Sequence, residues 1–494
     1  MPANRYHRLL MWTITAVAAS SSVSAQRPGR PLLDDVARAM GGAERILAVR
    51  TLMLEGTGEM YNLGQGMSPA APLPVYAVTG YRRSFDFANR RWRQELTRQP
   101  QFITGNTSPQ PLKSAWDGVA FDIGADGISR RSVGRADIDR AYELAYHPIG
   151  FLQMALASGT QLTEAAQAGG LRHVRMNAGG SRYSLFVDSR TKLPVRIEKV
   201  VYHPMLGDVI MATRFADWHD AGDIRVPMRI TQRLAGRWPI MDTRVATARI
   251  NTEVGDLVAP PAVRAASTVP APVTVTADEV APGVWHLAGQ THHSVAIEMQ
   301  NEMLLVEAPL NDARTLAVIK RARELRPGKT LRRLIDTHHH FDHAGGLRAA
   351  ISEGLTIVTH SGNAAFVNDL ARQQHSIVGD ALSSDPKRAR VEIVGAKRVI
   401  SDGNRSVELH HLRGSPHSAT MLIVYLPAEK ILIQADAYNP PAAGAAVAPS
   451  YPFAPNLVDN IDRLRLVIDR IVPIHGPVIP IAQLRSIAEA NRKR

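Results

Sequence analysis

The sequence predicts a layered α/β domain over residues 279–494, preceded by a mainly antiparallel β domain over residues 30–257. Three observations carry this reading. A chain of 494 residues exceeds what one ordinary hydrophobic core organises, so two domains follow from size. Between residues 258 and 273, Pro260, Pro261, Pro270 and Pro272 stand among Ala, Val, Ser and Thr, and the stretch 258–278 reads as a semi-extended linker. Thirteen of the 18 histidines lie after residue 279, which assigns any metal chemistry to the C-terminal part.

Residues 1–25 stand apart. Arg5 and Arg8 precede the apolar run Leu9 to Ala19, and Val23-Ser24-Ala25 supplies small residues before Gln26. This is the anatomy of a secretory signal peptide, and the run is short for a bilayer span. The expected localisation is therefore export, into a bacterial periplasm, with an uncleaved anchor as the alternative. In the N-terminal part, Leu32 to Met40 predicts a short helix stopped by Gly41-Gly42, with another turn or two over Ala43 to Val49. Thr51–Leu54, Tyr183–Val187, Pro194–Val201, Val209–Phe215 and Val226–Ile230 predict strands of a meander, and 64–74, rich in Gly, Pro and Ala, a loop. The early helix, the double glycine and the many strands resemble bacterial lipoprotein-carrier-like domains. That resemblance implies a curved sheet with an apolar concave face, available to a substrate or partner. Trp92, Trp116, Trp218 and Trp238 are expected to pack in the core or on the sheet.

The C-terminal part alternates strand and helix. Val284–Leu287, Val295–Glu298 and Met303–Val306 predict consecutive strands, and Asp312 to Leu325 a helix with Leu316, Ile319 and Ala322 on one face. Strands follow at Leu331–Ile335, Leu355–Thr359, Ser406–Leu412, Met421–Leu426 and Lys430–Ile433. A last helix is predicted over Leu457 to Ile471. Such alternation requires a layered architecture.

Composition narrows the chemistry. The chain has no cysteine, which excludes disulfides, thiolate nucleophiles and thiolate metal ligands. Net charge is +13, or +11 once Arg5 and Arg8 are lost, but the basic residues are scattered. No nucleic-acid partner is expected. The charge reads as solvated surface first and contact with anionic envelope lipid or polymer second. Oligomeric state is not legible.

The segment Thr337-His338-His339-His340-Phe341-Asp342-His343 carries the strongest functional signal. Imidazole nitrogens and a carboxylate are what a divalent first-row metal binds. On an extended or tightly turned segment alternate residues point the same way, so His338 and His340 face one metal while Asp342 and His343 serve a second. Ala344-Gly345-Gly346 then lets the backbone turn beside a crowded site. Three further signals follow in order: Gly414-Ser415-Pro416-His417-Ser418 between two strands, Asp436 closing Ile431–Ala435, and His475 within Ile474-His475-Gly476.

With these four motifs, residues 279–494 (216 of 494, or about 44% of the chain) resemble the metallo-β-lactamase fold superfamily. The resemblance implies a four-layer αβ/βα sandwich and a metal-dependent hydrolase. It places His338, His340 and His417 at one metal, Asp342, His343 and His475 at a second, and Asp436 as the bridge. Zinc is the expected metal, two per chain, with iron or manganese as alternatives. Water activated at the pair is the implied nucleophile, oriented by Asp342. His339 is expected to point away from the metals, Asp336 and Thr337 to stand behind the ligands, and His292-His293 to lie on the rim or on a surface loop. His360, His410 and His411 read as structural.

The substrate is less legible. The segment Ala437 to Pro455 begins beside the metals, and Tyr438 is expected either to hydrogen-bond a substrate oxygen or to pack within the loop. No lysine lies between Asp436 and Arg463 to hold a drug carboxylate. A small-molecule ester, lactone or thioester is the first reading. A β-lactam, or an envelope ligand delivered by a protein with a metal domain, is the alternative.

Overall fold

The computed structural model describes residues 29–157, 159–442 and 450–493; the expected signal peptide lies outside them. Strands Thr51–Tyr61 through Trp238–Ile250 form one antiparallel sheet of thirteen. Consecutive strands pair except Ser129–Arg131 and Gln161–Ala168, which form the two edges, and the first strand also pairs with the last, Leu52 opposite Ile250. Two meanders are thus joined along their oldest and newest strands.

Helix Arg30–Ala39, with Pro31 in its first turn, ends where Gly41 and Gly42 take φ of 120° and 113°. Its Leu32, Leu33 and Val36 pack with Ile149, Phe151 and Leu152 of helix Pro148–Leu156 against sheet residues such as Leu54, Trp92, Val174 and Leu185. The apolar face of the sheet is therefore covered by the chain's own helices. Trp92 and Trp116 are buried in or beside this core, Trp218 packs on it, and Arg237 stacks on Trp238.

Residues 259–264 of the expected linker dock on the N-terminal sheet, while most of 265–273 is exposed. A short helix, Pro261–Ala265, buries Val263 with Ala259 against Ala115 and Phe121, while Arg264 pairs with Asp117.

The C-terminal part holds two sheets of seven and six strands. The first runs from Thr276–Ala281 to Arg390–Val394, the second from Lys397–Ser401 to Ile479–Pro480. Three cores define four layers. Val306, Ile335 and Val358 of the first sheet meet Leu409, Val424 and Ile433 of the second. Helices Asp312–Leu325, Leu347–Ser352 and Ala364–Arg372 cover the outer face of the first sheet. Helices Ala454–Leu464 and Ile481–Arg492 cover that of the second. The architecture is the αβ/βα sandwich.

One element differs from expectation. The helix predicted over Leu457–Ile471 stops at Leu464, because Arg465 enters the left-handed region at φ 56°. Ile471 belongs to strand Arg470–Pro473. It is apolar because that strand is buried, and its spacing from Leu464 mimics a helical face. No helix among the described residues is long and apolar enough to cross a membrane.

The two parts touch closely. Asp208 of the N-terminal sheet accepts from the Ser376 and Ile377 amides, and Met205 enters the core beneath the first C-terminal sheet. The loop between strands Thr51–Tyr61 and Val75–Asp86 reaches the histidine motif.

Candidate metal centre

The predicted residues leave the ends of neighbouring strands. His338–His343 follow Thr330–Ile335, Asp436 follows Ile431–Gln434, and His475 follows Arg470–Pro473. His417 lies in the turn between Ser406–His411 and Leu422–Leu426, where the Ser415 hydroxyl accepts from its amide. Gly345 and Gly346 serve close approach: a Cβ on Gly346 would lie 1.8 Å from Thr315 Oγ1, and one on Gly345 2.2 Å from the Leu310 carbonyl.

Asp436, held at φ 56°, is the hub. Its Oδ2 lies 2.7 Å from His343 Nε2, 3.3 Å from His417 Nε2 and 3.5 Å from His338 Nε2. Its Oδ1 lies 3.1 Å from His475 Nε2. His338, His340, His417 and Asp436 form one group able to hold a metal. The second group is His292, His343 and His475. Asp342 stands beside it, with Oδ2 3.2 Å from His292 Nε2 and 3.8 Å from His343 Nε2. His292 is thus buried within the centre, while its neighbour His293 meets His286 edge-on, its pKa lowered to about 4 chiefly by burial.

Carboxylate or carbonyl acceptors meet the outward ring nitrogens of His343, His475 and His340, and hydroxyls meet those of His338 and His292. His343 Nδ1 faces the Glu307 carboxylate at 3.1 Å, and His475 Nδ1 donates to the Thr291 carbonyl at 2.9 Å. His340 Nε2 donates to the Gly66 carbonyl at 3.0 Å. His338 Nδ1 and His292 Nδ1 meet the hydroxyls of Thr337 and Thr291 at 3.0 and 2.8 Å. The inward nitrogens are then lone pairs. His343 Nε2 and His475 Nε2 stand 3.3 Å apart, as do His338 Nε2 and His417 Nε2. His340 Nδ1 is buried with no hydrogen-bond partner. Facing lone pairs around carboxylates need a proton or a cation between them, so these residues fit a bound metal.

The electrostatics agree. Burial pushes His338 and His340 well below the ordinary imidazole range. Burial also works against a charge on His343, yet Asp436 and Glu307 outweigh it and hold its pKa well above ordinary. Asp436 stays far below the usual carboxylate range: burial opposes its charge, and His343 and His417 override burial. Asp342 is likewise held low by His292 and His343 against its burial. Ionised Asp436 and Asp342, beside His338 and His340 that burial keeps neutral, make a centre that attracts cations.

Residues behind the ligands were partly legible. Thr337 supports His338, and Asp336, its pKa raised well above ordinary by burial and by Glu307, accepts from Thr359. His339 turns away toward Phe366 and Thr420. His360 packs at a tilt against His411, and His410 meets Glu408. Glu307 and Gln65 were missed. Glu307 closes an apolar strand as Asp436 does, which is a usable signal; Gln65, 277 residues from Asp342, offers none. Tyr438 is buried: its hydroxyl accepts from Gln483 at 3.4 Å, its ring lies edge-on to Tyr451, and it borders the cavity over the centre.

The model of the Metallo-beta-lactamase superfamily matches residues 291–445. Among solved structures, a metallo-beta-lactamase from Pontibacter korlensis is similar, at 17% identity over 45% of this chain and 100% of its own, with a TM-score of 0.34. DIM-1 metallo-beta-lactamase is 16% identical over 45% of this chain and 99% of its own, with a TM-score of 0.34. FIM-1 from Pseudomonas aeruginosa, in its mono-zinc form, is 17% identical over 45% and 96%, with a TM-score of 0.33. A search of curated proteins found no match. Residues 291–445 therefore match a metallo-beta-lactamase superfamily domain, which indicates a metal-dependent hydrolase.

Proposed function

We propose that this chain is an exported zinc-dependent hydrolase of a small ester, lactone or thioester, with His338, His340 and His417 at one metal, Asp342, His343 and His475 at a second, and Asp436 shared. The carrying observation is the inward-facing set of imidazole lone pairs around Asp436, with His340 Nδ1 buried and unpartnered. Bound zinc would supply the acidity that makes water a nucleophile at neutral pH, and would polarise a scissile carbonyl. Asp342, ionised and with Oδ2 3.8 Å from His343 Nε2, would help hold the second metal and orient that water. His292 Nε2 lies 3.2 Å from the same Asp342 oxygen, Oδ2, and helps hold the carboxylate.

The cavity beside His417 and Asp436, of about 630 Å³ and within the range of small-molecule sites, supports this substrate class. Tyr76, Phe102 and Ile103 wall it from the N-terminal part, and Tyr451 and Phe453 from the C-terminal part. Among the described residues lining it there is no Lys or Arg to meet a substrate carboxylate. That favours a neutral substrate with an apolar acyl or aromatic portion over a β-lactam carboxylate.

A hydrolysis panel of esters, lactones, thioesters, β-lactams and phosphodiesters, each with a chelator control, tests the reading. Chelator-sensitive turnover of a neutral acyl compound supports it; turnover confined to β-lactams or phosphodiesters overturns the substrate class. Elemental analysis should find about two zinc ions per chain, and fewer than about one-half overturns the two-metal centre. Export is checked by mass spectrometry of the mature N-terminus, expected at Gln26.

A further inference from the structure

We propose that residues 64–67, which belong to the N-terminal sheet domain, are a working part of the metal centre, with Gln65 the positioning residue for Asp342 and the Gly66 carbonyl that for His340. This rests on the metal-centre reading above and assigns the N-terminal half a role in it.

Four consecutive loop residues meet the centre one by one. Gly64, at φ +78°, lies flat on Phe341; a Cβ there would stand 2.2–2.5 Å from three ring carbons, so only glycine seats the loop. Gln65 Nε2 donates to Asp342 Oδ1 at 2.7 Å. The Gly66 carbonyl accepts from His340 Nε2 at 3.0 Å. The Met67 carbonyl accepts from the Ala419 amide at 2.8 Å, two residues from His417.

Each contact has a chemical consequence. A carbonyl only accepts, so Gly66 places the His340 proton on Nε2 and leaves Nδ1 as a lone pair facing His338 and His417. Without it the other tautomer, with no lone pair toward the centre, is equally available. Gln65 occupies one Asp342 oxygen and thereby keeps the other, Oδ2, turned toward His292 and His343. The C-terminal domain carries every proposed ligand, yet two of them are oriented by the other half of the chain.

The test is zinc titration of the full-length, metal-stripped protein against a chromophoric chelator. Gln65→Leu matches the side chain in size but cannot donate. It is expected to weaken the weaker zinc site by about 10–100-fold, as losses behind metal ligands do, with the tighter site unchanged. In an Asp342→Ala background the same substitution should alter affinity by less than about twofold, because its effect runs through Asp342. Gly64→Ala, which lifts the loop from Phe341, should weaken both sites. Wild-type affinity in Gln65→Leu overturns the proposal, and so does a loss that persists undiminished beside Asp342→Ala. A wild-type chain binding less than about half an equivalent of zinc is a separate failure, because it removes the metal centre itself. Thermal melts of the metal-free variants that match wild type show that the loss is not one of folding.

Discussion

Glu307 is fully buried, at φ +74°, directly after strand Glu302–Val306. Its Oε1 accepts from the Thr337 amide at 3.0 Å and its Oε2 faces His343 Nδ1 at 3.1 Å. One carboxylate thus pins both the start of the histidine motif and the ring that lies nearest Asp436. Glu307→Gln keeps the volume but retains one accepting oxygen. Its amide group must then face either the Thr337 N–H or the His343 Nδ1–H, donor to donor. Losing a hydrogen bond to a charged group costs about 1.5–3 kcal/mol. At about 1.4 kcal/mol per factor of ten, that is roughly 10–100-fold in zinc affinity. A second effect opposes the first: Glu307 raises the His343 pKa, so its removal eases loss of the competing proton. The carboxylate stabilises a doubly charged metal at Nε2 more than a single proton there, so net weakening is expected. Chelator-competition titration reads the affinity, and the zinc-dependent rise in melting temperature reads it independently, because a ligand at a hundred times its Kd stabilises a fold by about 2.7 kcal/mol. A Glu307→Gln protein within about twofold of wild-type affinity would refute the argument.

Arg314 is buried and donates to the carbonyls of Thr274, Leu287 and His292 at 3.1, 3.1 and 3.2 Å. Arg314→Met leaves these acceptors short of partners at about 1–3 kcal/mol each, so the denaturant midpoint should fall clearly; an unchanged midpoint contradicts this. His147 caps helix Pro148–Leu156, and burial, with Arg83 nearby, lowers its pKa from 6.5 to about 3. The unfolded chain takes up this proton below pH 6.5 and the folded chain does not until about 3, so the contribution is full above 6.5 and declines as pH falls toward 3. His147→Asn, which keeps a capping acceptor, should show a flatter stability profile across that window in urea melts; parallel profiles would count against it. Asp436→Asn removes the charge that four histidines share and should abolish tight zinc binding, read by elemental analysis after dialysis.

The C-terminal elements were legible where burial was symmetric. Met303–Val306 and Ile431–Ile433 are buried on both faces and read as unbroken apolar runs. Helix Asp312–Leu325 was bounded correctly because Asn311 caps it and one face is apolar. Strands Val75–Asp86, Arg91–Pro100 and Trp238–Ile250 escaped notice because their outer faces are loaded with Arg, Gln and Thr, which dilutes the alternation. The same ambiguity carried the last helix past Leu464.

The sequence by itself determined which residues are the candidate metal ligands. His338, His340, Asp342, His343, Asp436 and His475 follow strand ends, where a change from apolar to polar residues marks them locally, and His417 lies in a turn between two strands. What only the tertiary structure decided is what lies across space: His292 within the centre, Glu307 behind His343, and Gln65 and Gly66 arriving from a loop of the other domain. Period and composition report a residue's own element. A hydrogen bond between residues 277 positions apart depends on how two sheets dock, and no local pattern records that.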